Sequence, residues 1–145
     1  MTQSTQPKAL ARGPSARSLA RLGWLLSGIV VLVLAADAAM SLAAPGLIEA
    51  DMAATGFPTS LAPILGTVTL VSALLYAIPR TAVLGAILVT AFLGGAIAIH
   101  FRLGEIGSPP QIVSVVLGVA AWGGLYARDA RLRALLPFVS PVRGE

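Results

Sequence analysis

The sequence predicts an all-α polytopic membrane protein: four transmembrane helices in an up-down bundle with both termini in the cytoplasm. Three observations carry this expectation. Only 11% of the 145 residues are charged and 57% are apolar, with a mean hydropathy of +0.88, whereas a soluble domain carries about 25% charged residues. Four apolar runs, residues 22–42, 61–78, 82–101 and 111–127, each approach the roughly 20 residues that cross about 30 Å of hydrocarbon. Lys8, Arg12, Arg17, Arg21, Arg80, Arg128, Arg131, Arg133 and Arg143 fall on one side of the topology these runs define, and only Arg102 on the other, beside Glu49, Asp51 and Glu105. Basic residues concentrate in cytoplasmic connections, so the crowded side faces the cytoplasm.

Residues 1–21, "MTQSTQPKALARGPSARSLAR", are polar, basic and free of acids, which predicts a disordered tail. The first run could be confused with a signal peptide, but it outlasts the 7–15 apolar residues of such a core, so a retained span is expected. Backbone groups in lipid must be satisfied within the segment, which makes each run a helix. Residues 43–60 form the longest connection, with "ATGFP" suited to an interfacial turn. "IPRTA" joins runs two and three so tightly that an antiparallel hairpin must result; Pro79 breaks the helix and Thr81 is placed to cap the next one. Residues 128–145 read as a basic tail on the inner membrane surface, with Leu132, Leu135 and Leu136 toward lipid.

On a helical wheel of run three, Ala82, Gly85, Ala86, Val89, Leu93, Ala96 and His100 share one face, and Thr90, Ala91, Gly94, Gly95 and Ala98 another. Small residues let helices approach closely in membranes, so this run is expected at the centre of the bundle, packed on two sides.

Composition excludes several functions. The net charge is +4 and the isoelectric point near 10.7, but the arginines sit at chain ends and turns rather than along one face with aromatics, so nucleic acid is not expected as a partner. The chain has no cysteine and one histidine, which removes disulfides, thiolate chemistry, zinc and iron–sulfur sites, and bis-imidazole haem.

The candidate site residues are Asp37, His100, Arg102 and Trp122. An acid within a span is costly, about 2.5–3.5 kcal/mol at mid-membrane, and such residues usually face the bundle and a partner. Asp37 and His100 both belong to the outer half, where a hydrogen bond between them is geometrically open and Ser41 and Arg102 lie nearby. His100 is alternatively an interfacial tip. Trp122 sits among Gly118, Gly123 and Gly124, which suits packing or a stacked quinone-type ring. Tyr76 and Tyr126 suit an interfacial aromatic belt, and Arg80 and Arg128 suit topology anchors.

The strings "LLYAIPRTAVLGAILVTAFLGGAIAIHFRLGE" and "GVAAWGGLYARDARLRALLP" resemble the DoxX-like family of small four-helix membrane proteins. The resemblance extends over about residues 37–137 and includes "AAMSL" and "GFP". It places Pro79, Arg80, Thr81, Gly85, Gly94, Gly95, His100, Arg102, Trp122 and Arg128 on family positions. The chain departs from many relatives at Ser41, where they carry lysine, and at Ala91 and Phe92, where they carry Gly-Tyr. If that lysine pairs with an acid in relatives, Asp37 needs another partner here.

The resemblance implies a non-catalytic subunit or scaffold in a bacterial-type inner (plasma) membrane, associated with a quinone-linked redox enzyme, with no intrinsic cofactor and quinone as the candidate ligand. Two alternatives stand beside it: an assembly factor for other membrane proteins, or a small transporter or enzyme using Asp37 and His100 to handle protons. Homo-oligomerisation remains open at this level.

Overall fold

A computed structural model describes residues 16–135. The structure contains α1 (Ala16–Ala43), α2 (Glu49–Ala54), α3 (Ala62–Ala77), α4 (Ala82–Arg102), α5 (Pro109–Arg128) and α6 (Ala130–Leu135), with no strand among the described residues. The four long helices are each long and apolar enough to cross a membrane; α4, at 21 residues, spans about 32 Å at 1.5 Å per residue. They alternate in direction. One end of the bundle therefore carries both described termini and the α3–α4 turn, and is rich in arginine. The other carries the two longer connections and is here termed the loop end.

The helices close into a ring. α1 packs on α3 and α5, and α4 packs on the same two, so α1 and α4 face each other diagonally. The expectation of a central run three is therefore corrected: α4 occupies a corner, as each helix does. Its first face is buried at Ala82, Gly85, Ala86, Val89 and Leu93, as the wheel predicts. Its second face, with Thr90, Ala91, Gly94, Gly95 and Ala98, is largely exposed, and a Cβ added at Gly94 or Gly95 would meet nothing within 4 Å. Bulky side chains elsewhere on the helices, such as Leu32, Ile64, Leu84 and Val119, are also exposed. That outward apolar surface suits lipid rather than water.

Packing is tightest at the arginine-rich end. A Cβ at Gly85 would stand 2.1 Å from the Tyr76 backbone nitrogen, and one at Gly23 would stand 2.6 Å from that of Arg128. These glycines let backbones touch where any side chain would hold them apart. Tyr76 is fully buried, which corrects its expected place in an aromatic belt. Its hydroxyl donates to the Ala121 carbonyl at 2.7 Å and lies 2.9 Å from Ser27 Oγ, joining α3 to α5 and α1.

The chain ends differ from expectation in two ways. The helix starts at Ala16, inside the segment expected to be disordered; residues 1–15 lie outside the described residues. After Arg128 the chain turns back as α6, and Leu132 is buried in the core rather than turned to lipid. Leu135 is exposed, and Leu136 lies outside the described residues. Arg133 Nη1 donates to the Tyr126 and Ala127 carbonyls at 2.9 and 2.7 Å, satisfying acceptors that the end of α5 leaves open.

The α3–α4 turn also corrects one detail. Ile78 is extended (φ −81°, ψ 121°), as the residue before a proline favours. Thr81, however, makes no side-chain cap to α4. Its hydroxyl reaches back to the Leu75 carbonyl at 2.8 Å, serving the end of α3 instead.

Candidate functional site

The loop end holds a cavity of about 410 Å³ between α1, α3 and α4. Asp37 and Ser41 contribute from α1, Leu65 from α3, and Ala91, Phe92, Gly95, Ala96 and Ile99 from α4. The connection expected as a plain loop folds over it as a roof, through a 3₁₀ turn at Pro45–Ile48, α2 and a second 3₁₀ turn at Thr59–Leu61. Ile48, Asp51, Met52, Thr55 and Phe57 line it from above.

The roof has a local cause. Gly56 adopts φ +77°, the Gly56 N–H donates to the Ala53 carbonyl at 3.0 Å, and the Phe57 N–H to that of Met52 at 2.9 Å. This is a Schellman closure, which brings the third residue from the helix end beside the one after the glycine. Met52 and Phe57 are that pair, and both face the cavity. Because Ala91 and Gly95 are exposed as well as lining, the cavity opens sideways past small side chains.

Asp37 is the polar focus of the wall, six residues or about 9 Å below the end of α1. Its carboxyl is hydrogen-bonded to the buried Thr69 hydroxyl. The same hydroxyl proton is shared with the Leu65 carbonyl, 3.0 Å from Thr69 Oγ1. A hydroxyl has one proton, whereas an ionised carboxylate offers about four acceptor positions. Thr69 therefore leaves most of the acceptor capacity of Asp37 turned to the cavity.

The structure separates the other sequence candidates from Asp37. His100 Nδ1 lies 2.7 Å from Glu105 Oε2; since a carboxylate only accepts, the ring carries a proton on Nδ1. This pairing also follows from a Schellman closure. The Gly104 N–H donates to the Phe101 carbonyl and the Glu105 N–H to that of His100, both at 3.0 Å, with Gly104 at φ +76°. The glycine at the helix end places Glu105 over His100. That signal, a glycine four residues after the histidine with an acid next to it, is present in "HFRLGE".

Arg102 makes a long 3.4 Å hydrogen bond to the Thr55 carbonyl and ties the roof to α4. Trp122 belongs to the opposite half, where its indole N–H donates to Thr90 Oγ1 at 2.8 Å. It borders an outward apolar groove of about 460 Å³ with Gly118, Gly123 and Tyr126. Gly124 is occupied instead by α1, with Ser27 Oγ 2.8 Å from where its Cβ would lie. Among the four candidates, Asp37 alone lines the loop-end cavity. Sequence reading missed the roof residues and Thr69, and no group of three or more His, Cys, Asp or Glu side chains suited to a metal is present among the described residues.

Compared with known proteins, residues 25–124 match the sequence model of the DoxX-like family. No curated protein and no solved structure matches the chain.

Proposed function

The chain belongs to the DoxX-like family, and on that footing we propose that it is a non-catalytic subunit of the inner membrane that holds a quinone-class ligand for a redox enzyme. The observation that carries this reading is the loop-end cavity with its single under-satisfied carboxyl within a span, Asp37. An apolar molecule dissolved in lipid can enter past Ala91 and Gly95, bury its ring and tail against Phe92, Ile99 and Phe57, and place a hydroxyl on Asp37. A quinol supplies such a donor. A charged or strongly hydrated metabolite gains little from a wall this apolar. With the basic end in the cytoplasm, the cavity lies in the outer leaflet.

The test is purification of the full chain in mild detergent, with extraction of bound quinone and identification of co-purifying proteins. Retained quinone with an oxidoreductase partner is expected. Asp37→Asn, which keeps the shape but makes a poorer acceptor for the quinol hydroxyl, should weaken retention of the quinol, kept reduced during purification, about tenfold, the scale of one hydrogen bond to a charged group. A folded, quinone-free preparation without a redox partner overturns the reading.

A second reading, an assembly factor for other membrane proteins, is favoured by one observation: the exposed small-residue face of α4, where Gly94 has open space beside it. Such a face admits a partner helix at close range. Gly94 does not line the cavity, so Gly94→Leu separates the two. It leaves quinone retention intact under the first reading and lowers the abundance of one client protein under the second.

A further inference from the structure

The arginine-rich end carries a second cavity, of about 310 Å³, bordered by Trp24 of α1, by Arg80 of the α3–α4 turn, and by Arg128, Asp129 and Arg131 at the end of α5 and the start of α6. Three guanidinium groups face one carboxylate there, a surplus of two positive charges. That carboxylate is already engaged: Asp129 Oδ1 accepts the Arg131 backbone N–H at 2.8 Å, capping α6.

Among the described residues, Arg128 is held in place without any acid. Its Nη2 donates to the Tyr76 carbonyl at 2.9 Å. Its guanidinium carbon stands 4.5 Å from the Trp24 ring centre and 5.1 Å from that of Tyr76. Its Nε is buried and donates to nothing among the described residues. The close backbone contact at Gly23 and the buried Tyr76 lock the helices that carry these groups. The only ion pair among the described residues is His100–Glu105, at the far end. Arg80 and Arg131 are exposed around the same opening.

A part-buried arginine fixed by ring faces and one carbonyl, with two more arginines at the rim, suits a planar or tetrahedral oxyanion. Exposed Trp24 supplies an apolar wall at the level where headgroups meet acyl chains. We propose that this cavity binds a phosphate group through Arg80, Arg128 and Arg131, the source being an anionic phospholipid headgroup whose acyl chains run along the Trp24 side of α1. Basic pockets between transmembrane helices on the cytoplasmic side recognise lipid phosphates by this chemistry. The proposal rests on residues at the opposite end from Asp37 and is independent of the quinone reading.

The test uses the full chain in neutral detergent, in a Trp122→Phe background so that Trp24 is the sole tryptophan, titrated with phosphatidylglycerol or with sodium phosphate while its fluorescence is recorded. A saturable response is expected with phosphatidylglycerol. Arg80→Gln/Arg131→Gln, which removes two exposed side chains and spares the fold, should weaken it about tenfold or more, a scale set by hydrogen bonds to charged groups. Arg17→Gln/Arg21→Gln removes equal charge at the same membrane face, outside the cavity, and should change the affinity by less than about twofold, as for diffuse screened charge. Saturation by sodium phosphate, lost in the same rim variant, keeps the phosphate site but assigns it to a soluble ligand. Equal losses in the two double variants, or no saturable response to either probe, overturn the proposal.

Discussion

The two halves of the bundle solve the same packing problem in opposite ways. At the arginine-rich end, three glycines are closed: Gly23, Gly85 and Gly124 lie where a Cβ would fall within 3.0 Å of a neighbour, while Gly123 faces outward. Tyr76 then knots α1, α3 and α5 with its hydroxyl while its carbonyl receives Arg128. At the loop end, Gly66 is closed against Ser41 but Gly94 and Gly95 are open, and a cavity stands where the other half has a tyrosine. On α4 the same residue type serves contact at Gly85 and an opening at Gly95. Polar groups obey the same division: Tyr76 is saturated within the protein, whereas Asp37 has one shared hydroxyl. A closely packed half can hold the geometry of the half that contains the cavity.

The sharpest way to break this comparison is to add one methyl group to each half. Gly85→Ala forces a Cβ into the Tyr76 backbone and should cost about 3 kcal/mol, the upper end of ordinary overpacking. Gly95→Ala meets open space and should change stability by less than about 1 kcal/mol, in the stabilising direction expected for Ala over Gly in a helix. Reversible unfolding in detergent measures both, and equal effects would erase the distinction.

Next in size is Tyr76→Phe. It strips a buried carbonyl and a buried serine of their partner and should cost about 1–2 kcal/mol, within the range for polar contacts between membrane helices. Ser27→Ala should cost less, about 0.6 kcal/mol, because the tyrosine keeps its bond to Ala121. A larger loss for Ser27→Ala would mean that Tyr76 is not the centre of the knot.

Asp37→Asn tests the other half. Replacing a carboxylate within a span by an amide removes desolvation cost, a fraction of the mid-membrane value this near a helix end, so the ligand-free protein should gain up to about 1 kcal/mol. A stability gain joined to lost quinone retention is the signature of a binding residue. A stability loss would make Asp37 structural. The smallest effect belongs to His100→Ala: a part-exposed pair with Glu105 is worth about 0.2–1 kcal/mol, and quinone retention should not change. If it falls with that of Asp37→Asn, the two residues act together despite their separate partners.

The first face of α4 was legible from spacing because burial at every third or fourth residue comes directly from helix geometry. Its second small-residue face was legible as a surface but not as an exposed one, since the wheel says which residues share a side and not what stands opposite. The Asp37–His100 contact, which the sequence left open, is absent for a local reason. Gly104 closes α4 so that Glu105 lies beside His100, and the few residues after the histidine decide the matter before any other helix is involved.

By itself the sequence determined the features set by solvent and chain geometry alone: four spans, because backbone groups in hydrocarbon must bond within their own helix; an alternating topology, because the connections are short; and the asymmetry of charge between the two ends. Tertiary structure decided which glycines are contacts and which are openings, that Tyr76 is buried, that Leu132 returns to the core, and that the segment closed locally at Gly56 comes to lie over Asp37. Those outcomes depend on how helices far apart in the chain meet across the ring, and no local pattern of apolar and small residues carries that information.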